Sequence, residues 1–513
     1  MMSTITLRHR NRREASWACA VLLTLALAAA RPALAAPQPP APAPTPITIT
    51  VQPGARQTFR GFGASGLNFG GEYQTLTPAQ RRALSKALWH DLKFTTLRLW
   101  LNTDQYAPTP GVHDLAQFRG CYVDSGLIAD ARRNGVTTLL LAPDHLPAYM
   151  AEKRPDGSAQ TGMALRQSQV DAYADLVADF IARLGVQTGV HIDVTGIHNE
   201  PNDTFRFTPA QIVQAVKRLR ADLDARGLRG VQIIAPENAS ADGTLEGQVD
   251  ALKADPVAWR ALSGIASHSY NMAATERVAG RIAGTGKAYW MTEASDDGPE
   301  VPGDAQRAAS LASRFLSDMN HRVTHWVHFV GFEVPDPNDN ATRILSYTPA
   351  SAATQAPFKI TAFEKYFYYR QLSRTFDSGA VFRRSQSDAD GDMTYTYGKK
   401  PRLTAAAARN PDGTWGIGLS NYTSSSFRDA DDEKDFAQHN SGYAARTFAV
   451  TIRVPELARA GVLRFAVRRS NSGVNDAAGG TLLMHDGALT VPRVGPLDLI
   501  TLRSLTKPGT TAP

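Results

Sequence analysis

Cysteine is nearly absent from this chain of 513 residues, which carries only Cys19 and Cys121. Cys19 falls inside the N-terminal leader described below, so no disulfide framework is available and a hydrophobic core has to hold the fold. Cys121 has no activating residues around it in sequence and reads as a small buried hydrophobe rather than a nucleophile. Long apolar runs are missing too: the longest, from Trp17 to Ala30, falls short of the ~20 residues that span a bilayer. No block of Lys and Arg follows the leader, which excludes a nucleic-acid or heparin surface. His191, His198, His268, His321, His325 and His328 form no HExxH spacing or Cys/His cluster, so no catalytic zinc is expected. There is no Gly-x-Ser-x-Gly elbow for a serine hydrolase. Gly61-Phe62-Gly63 lacks the GxGxxG continuation of a dinucleotide fold. The acidic run from Asp429 to Glu433 lacks EF-hand spacing and reads as a solvated loop. No cofactor and no metal are expected.

What is present begins with an export signal. Arg8, Arg10, Arg12 and Arg13 precede the apolar stretch, and Ala33-Leu34-Ala35 supplies small residues for cleavage, so 1–36 reads as a secretory signal peptide. Glu14 and Ala15 follow Arg12-Arg13 where a twin-arginine signal prefers apolar residues, which favours the ordinary secretory route. The expected location is secreted or periplasmic, with no membrane insertion once the leader is removed. Its removal lowers the formal charge from +7 to +3. Residues 37–46 form an Ala/Pro tether of extended polyproline type. The hydrophobic fraction of 43% and charged fraction of 20% are those of a soluble globular protein, and the length implies one large domain plus a smaller one. A monomer is expected.

Beyond the tether, Ile47 to Val51 alternates with period two and reads as a strand (47–58 with its connection). From Phe59 to about residue 376, short apolar runs alternate with amphipathic helical patterns. The runs are Gly61 to Ala64, Thr95 to Leu101, Thr137 to Ala142, Ile192 to Ile197, Val231 to Ala235, Gly264 to His268, Ala288 to Thr292 and His325 to Val330. The clearest helices are Pro78 to Trp89, Ser168 to Leu184, Pro209 to Ala225, Ala305 to Met319 and Ala362 to Leu372. Eight strand–helix repeats predict an α/β fold of the (β/α)8 TIM-barrel type. From 377 to 506 the texture changes to alternating segments such as Phe448 to Arg453 and Leu463 to Val467 between Gly, Asn and Asp turns. That predicts a side β-sandwich, with the strand near Ile47 pairing into it, followed by a tail at 507–513.

Two acidic segments stand at strand ends: Ile197-His198-Asn199-Glu200-Pro201-Asn202 on the fourth run and Tyr289-Trp290-Met291-Thr292-Glu293-Ala294-Ser295 on the seventh. In such a barrel the active site lies at the C-terminal strand ends, and strands three steps apart can aim side chains across the mouth. A pair of carboxyl groups is what hydrolysis of a sugar acetal requires, one to protonate the departing oxygen and one to attack or stabilise the anomeric carbon.

Four ordered motifs carry a resemblance to glycoside hydrolase family 30, within the clan of retaining (β/α)8 glycosidases that includes family 5. Gly61-Phe62-Gly63-Ala64-Ser65 resembles the opening Gly-Phe-Gly-Gly-Ser, and Asn199-Glu200-Pro201 matches Asn-Glu-Pro. Thr292-Glu293-Ala294-Ser295 is similar to the nucleophile segment, and Lys365 to Arg374 to the stretch joining the last barrel helix to the side domain. The resemblance implies Glu200 as acid/base and Glu293 as nucleophile. It implies that Asn199 bonds the sugar 2-hydroxyl, that Arg98 holds Glu293 ionised, and that His268 and Tyr270 form the sixth-strand His-x-Tyr, whose tyrosine contacts the nucleophile. Asp144 and His145 are expected to line the sugar subsite, Trp290 and Trp326 to offer stacking faces, and Glu237 to be a third carboxylate of the cleft.

The sequence departs from the family at Asp144-His145-Leu146-Pro147, at Trp326-Val327-His328-Phe329-Val330, which lacks the usual second tryptophan, and after Arg98. The substrate walls are therefore expected to differ, leaving xylan, β-1,6-galactan, β-1,6-glucan and short β-glycosides open as carbohydrate partners. The expected activity is retaining hydrolysis of β-linked glycans. A catalytically silent glycan-binding barrel, or a transglycosylase, is the alternative.

Overall fold

The computed structural model describes residues 43–66, 72–152, 164–203, 205–270, 272–296, 298–300, 303, 305–350, 357–396, 400–425 and 443–508. The expected leader at 1–36, most of the tether, the acidic loop from Asp429 and the end of the tail lie outside the described residues. Strand β1 (Thr45–Val51) begins two residues inside the expected tether, because Thr45 N–H is drawn to Thr447 O at 2.8 Å.

Eight strands close a parallel barrel: β2 (Gly61–Ser65), β3 (Phe94–Asn102), β4 (Thr138–Asp144), β5 (Val194–Thr195), β6 (Gln232–Asn238), β7 (Gly264–His268), β8 (Ala288–Glu293) and β9 (His325–His328), with β9 returning to β2. Their near-continuous apolar texture follows from burial on both faces. Outward side chains, such as Leu97, Leu99, Leu139, Leu141, Ile233, Tyr289 and Met291, join the large core under the surrounding helices. Inward ones, Leu140, Val194, Ile234, Ala266 and Trp290, form a separate small cluster that plugs the barrel.

Local chemistry sets the helix starts. Thr77-Pro78 and Thr208-Pro209 each open a helix, Pro78–Ser85 and Pro209–Ala225, with a reciprocal capping box. The Thr77 hydroxyl accepts from Gln80 N–H at 3.3 Å and the Gln80 side chain from Thr77 N–H at 2.8 Å; Thr208 and Gln211 repeat this at 3.2 and 2.8 Å. The fourth apolar run shortens to Val194–Thr195: Gly196 N–H still donates to Leu141 O, but beyond it the chain leaves the ladder toward Glu200.

The side domain stacks a four-stranded sheet, in which β1 lies between Ser385–Ser387 and Phe448–Arg453, on a six-stranded sheet ending in Val474–Met484. Pairing of β1 with Phe448–Arg453 is parallel, and with Ser385–Ser387 antiparallel. Helix Gln306–Asn320 is enclosed between barrel and side domain, which accounts for its small residues on every face: Ser313 Oγ donates to Ser420 Oγ at 3.0 Å and Asn320 Nδ2 to Ala405 O at 2.7 Å. Helix Glu364–Thr375 locks the same junction through Gln371 Nε2, which donates to Arg468 O and Leu499 O at 3.0 Å. A three-stranded sheet of Phe332–Glu333, Leu345–Thr348 and Lys359–Ala362 follows β9, an element not foreseen from the sequence.

Ile49 is fully buried between the two sheets. Ile49→Ala is expected to cost about 2–5 kcal/mol, read as a lower denaturant midpoint of the full chain. An unchanged midpoint would mean that β1 is not part of the cooperative unit.

Candidate active site

Arg98 organises the barrel mouth. Alternation along β3 sends Thr96, Arg98 and Trp100 inward while Leu97, Leu99 and Leu101 face the helices. The guanidinium is fully buried, with its carbon 4.3 Å from the Trp100 ring centroid. Its Nη1 donates to Glu293 Oε2, and its Nη2 to Asn199 Oδ1 at 2.8 Å, with Glu237 Oε1 and His268 Nε2 each at 3.5 Å. Burial opposes the charge on Arg98, but Glu293 and Glu237 outweigh it and raise its pKa, so the guanidinium is permanently cationic.

The two predicted glutamates meet here. One carboxylate oxygen of Glu200, one of Glu293 and a ring nitrogen of His268 all lie within 4.8 Å of one another. Glu293, 7% exposed, is held on both oxygens, by Arg98 on Oε2 and by the Tyr270 hydroxyl on Oε1. Glu200 is more open, with 19% of its side chain exposed, and its Oε1 is 2.8 Å from His268 Nδ1. Arg98 is a donor toward His268 Nε2, so Nε2 is the acceptor and Nδ1–H donates to Glu200. Burial drives the His268 pKa down to about 3 against the pull of Glu293, leaving a neutral imidazole with a fixed tautomer. Burial likewise holds Tyr270 as the neutral phenol, helped by Glu293 and Glu200. The trio Glu200, His268 and Glu293 has the spacing of a metal ligand set, yet each atom is already engaged and Arg98 supplies the local positive charge.

Two register breaks bring the acids inward. In β6 the pairing with β7 jumps from Pro236 to Asn238, and in the β7–β8 pair it slips between Ser267/His268, so His268 faces Glu293. Outward Ala235 and Met291 show that simple alternation would have turned Glu237 and Glu293 away from the interior; the bulges re-aim them. Glu237 (φ 69°) corrects the sequence expectation: it is fully buried behind Arg98 and does not line the cleft. Burial lifts its pKa to about 7, with Arg98 and Thr292 holding it back only in part. Room for this carboxyl comes from Gly196, where an added Cβ would sit 1.6 Å from Glu237 Oε2. The Glu237 backbone also serves the site, since its carbonyl accepts the Glu200 N–H at 3.1 Å.

Asn199 N–H donates to Pro143 O at 2.7 Å, which sets Asp144 and His145 beside Asn199 on the same rim, both half-buried. Asp144 Oδ2 is 3.3 Å from His145 Nδ1; despite burial, this contact and the nearby His198 keep the carboxylate below its usual range, and the His145 pKa rises in turn.

Neither tryptophan offers a face to a sugar. Trp290 belongs to the inner plug and is stacked on His325 at 3.4 Å, below the site. Trp326 points outward, packs against Phe62 and Phe315 and donates Nε1–H to Asp318 at 2.8 Å. Phe329, which sequence reading passed over, is a further aromatic beside Trp100 at the strand ends. It is half-buried just past β9, edge-on to Trp100 at 5.9 Å, and its N–H donates to Ala294 O. Its signal was its place at the end of the eighth run, one residue after His328.

No family model matches the chain, and no curated protein matches it in sequence. Solved structures do match. A glycoside hydrolase family 30 subfamily 8 xylanase from Clostridium acetobutylicum aligns with a TM-score of 0.61 at 18% identity, covering 90% of this chain and 99% of that one. The catalytic domain of the family 30 xylanase C from Talaromyces cellulolyticus gives 0.63 at 16% identity, covering 90% and 100%. An endo-β-1,6-glucanase gives 0.58 at 16%, covering 89% and 93%. The fold implied by the sequence, a TIM barrel with a side β-sandwich, is thus the fold of the chain and matches the two family 30 xylanase structures.

Two predictions concern Glu237. Its folded pKa lies above the ordinary 4.5, so the folded state prefers the protonated acid; that stability is complete below pH 4.5 and is lost as pH rises toward 7. Glu237→Gln is therefore expected to gain on the wild type over this interval, by up to on the order of 3 kcal/mol, in denaturant midpoints measured from pH 4 to 8. Parallel curves would contradict it. Gly196→Ala is expected to destabilise by about 1–3 kcal/mol through overpacking, and Glu237→Ala in the same background should recover part of that loss in a double-mutant cycle.

Proposed function

We propose that this chain is a family 30 glycoside hydrolase that cleaves β-linked polysaccharide with retention of anomeric configuration. The observation that carries the reading is the approach of the Glu200 and Glu293 carboxylates to within 4.8 Å at the C-terminal ends of the barrel strands. Retaining enzymes hold their carboxyl groups about 5–5.5 Å apart, whereas inverting enzymes need about 6.5–9.5 Å to admit a water.

In the first step Glu293 attacks the anomeric carbon while Glu200 gives its proton to the departing oxygen; the glycosidic C–O bond breaks and a glycosyl ester forms on Glu293. In the second step Glu200, now a carboxylate, takes a proton from water, whose oxygen displaces Glu293 and restores both groups. Arg98 and Tyr270 hold and aim the Glu293 carboxyl group through a hydrogen bond to each of its oxygens. His268 fixes the Glu200 carboxyl through one oxygen without adding charge. With Asn199 Oδ1 taken by Arg98, the amide presents N–H to the sugar 2-hydroxyl. Asp144 offers a carboxylate to further hydroxyls, and Phe329 an apolar face to the ring.

The solved structures named as xylanases and as a β-1,6-glucanase support xylan or a β-1,6-linked glucan as substrate. The leader-like segment at 1–36 supports action outside the cytoplasm.

Reducing-sugar release from a panel of xylan, β-1,6-glucan, β-1,6-galactan and short β-glycosides tests the proposal. Glu293→Gln is expected to abolish release, and Glu200→Gln to slow it about 10²–10⁴-fold, least for substrates with good leaving groups. Equal activity in Glu293→Gln would remove the nucleophile assignment. Binding of a glycan without product from the wild type would favour the glycan-binding alternative, and transfer to an added alcohol would point to a transglycosylase.

A further inference from the structure

Glu293 ends β8, and it and the next three residues are tied down one by one. Glu293 O accepts the Ser269 N–H at 3.0 Å and Ala294 O the Phe329 N–H at 3.1 Å, which fastens the segment to the ends of β7 and β9. The remaining ties come from outside the barrel. Arg314, midway along helix Gln306–Asn320, donates through Nη1 to Ser295 O and through Nη2 to Asp296 Oδ1, each at 2.7 Å. Both members of this ion pair are sealed from water, with 1% of the Arg314 side chain and 2% of the Asp296 side chain exposed. Burial opposes the charge on Arg314, but Asp296 outweighs it and raises the pKa.

For stability alone, an apolar side chain of similar volume often does as well as a buried ion pair or better, because desolvation offsets the attraction. What the guanidinium supplies, and a hydrophobe would not, is a planar fork that fixes a carbonyl and a carboxylate of consecutive residues in one relative geometry. The fork is itself held from the side domain. Tyr395, between Ser385–Ser387 and Leu403–Arg409, has its ring centroid 5.4 Å from the Arg314 guanidinium carbon. Its hydroxyl is 3.2 Å from Ser310 Oγ and its N–H donates to Ser317 Oγ at 3.2 Å, both on the helix that carries Arg314. Its carbonyl accepts the Ala273 N–H at 3.0 Å, three residues past Tyr270, whose hydroxyl donates to Glu293 Oε1. One side-domain tyrosine therefore touches the anchor of the segment after β8 and the segment after β7.

We propose that Arg314 is a positioning residue for the nucleophile: by clamping Ser295 and Asp296 it fixes the direction in which the chain leaves Glu293, and through Tyr395 the side domain takes part in that alignment. This role rests on the reading of Glu293 as the nucleophile. Arg314 touches no reacting atom; it acts through the backbone that carries the carboxyl group.

Steady-state reducing-sugar release by the full chain from xylan, β-1,6-glucan and β-1,6-galactan tests this, with Tm measured alongside. Arg314→Lys keeps the charge but loses the fork, and is expected to lower kcat about 10–10²-fold with KM within about twofold, the loss that a small misplacement of a reacting group causes. Asp296→Asn conserves volume and leaves the Ser295 contact in place; it should lower kcat in the same way, and it decides the matter if the lysine variant does not fold. Asn320→Ala is the matched control. It removes the bonds to Ala405 O and from Ser385 N–H at the same junction, and is expected to lower Tm while kcat stays within about twofold. Wild-type kcat in folded Arg314→Lys or Asp296→Asn, or an equal fall in Asn320→Ala, would overturn the positioning role and leave Glu293 as the nucleophile. Full activity in Glu293→Gln, or no product from the wild type on any of the three glycans, would instead remove the nucleophile reading and the role of Arg314 with it.

Discussion

A guanidinium sealed inside a barrel has to be paired, and the pairing of Arg98 dictates the mouth of this one. Removing a charge from water costs several kcal/mol unless opposite charge and hydrogen bonds replace the solvent. Arg98 meets that demand with Glu293 from β8, Asn199 from the loop after β5, Glu237 from β6 and His268 from β7. Four separate strand ends are thereby indexed to one group. The same contact that pairs Arg98 fixes one oxygen of Glu293, and the same tautomer of His268 that accepts from Arg98 presents a donor to Glu200. Glu237, protonated up to about pH 7, adds a partner without a second full negative charge beside the nucleophile.

Much of this was legible in the residue order. Thr-Pro-x-Gln fixed two helix starts to the residue, because the capping box is a local reaction of side chain with backbone. The apolar runs marked all eight barrel strands, since strands buried on both faces have little choice of composition. Glu200 and Glu293 stood out by their place just after such runs. What escaped was direction. Trp290 and Trp326 sit on adjacent strands, yet one points into the plug and the other into the helical layer, because register against neighbouring strands decides which parity faces inward. Glu237 and Glu293 depend on bulges, which are properties of paired strands and leave no periodic mark in one of them. The sheet after β9 joins three segments of two to four residues, too short to carry an alternating pattern.

Leu140, Val194, Ile234, Ala266 and Trp290 fill the waist of the barrel. Above them the carboxyl groups of Glu293 and Glu237 gather around Arg98. Gly196 illustrates how closely the upper layer is fitted, for the space of its missing Cβ is taken by the Glu237 carboxyl. Helix Gln306–Asn320, enclosed on both sides, ties this scaffold to the side domain through small residues that let sheet and barrel approach.

The central claim is that Glu293 becomes covalently glycosylated while Glu200 manages the proton. Incubation with a 2-deoxy-2-fluoro β-glycoside carrying a good leaving group, followed by peptide mass spectrometry, measures it directly. The account expects one stoichiometric adduct of the fluorosugar mass, located on Glu293 and slowly released by acceptor. An adduct on another residue, or turnover of the parent glycoside to a product of inverted configuration with no adduct at all, would contradict it.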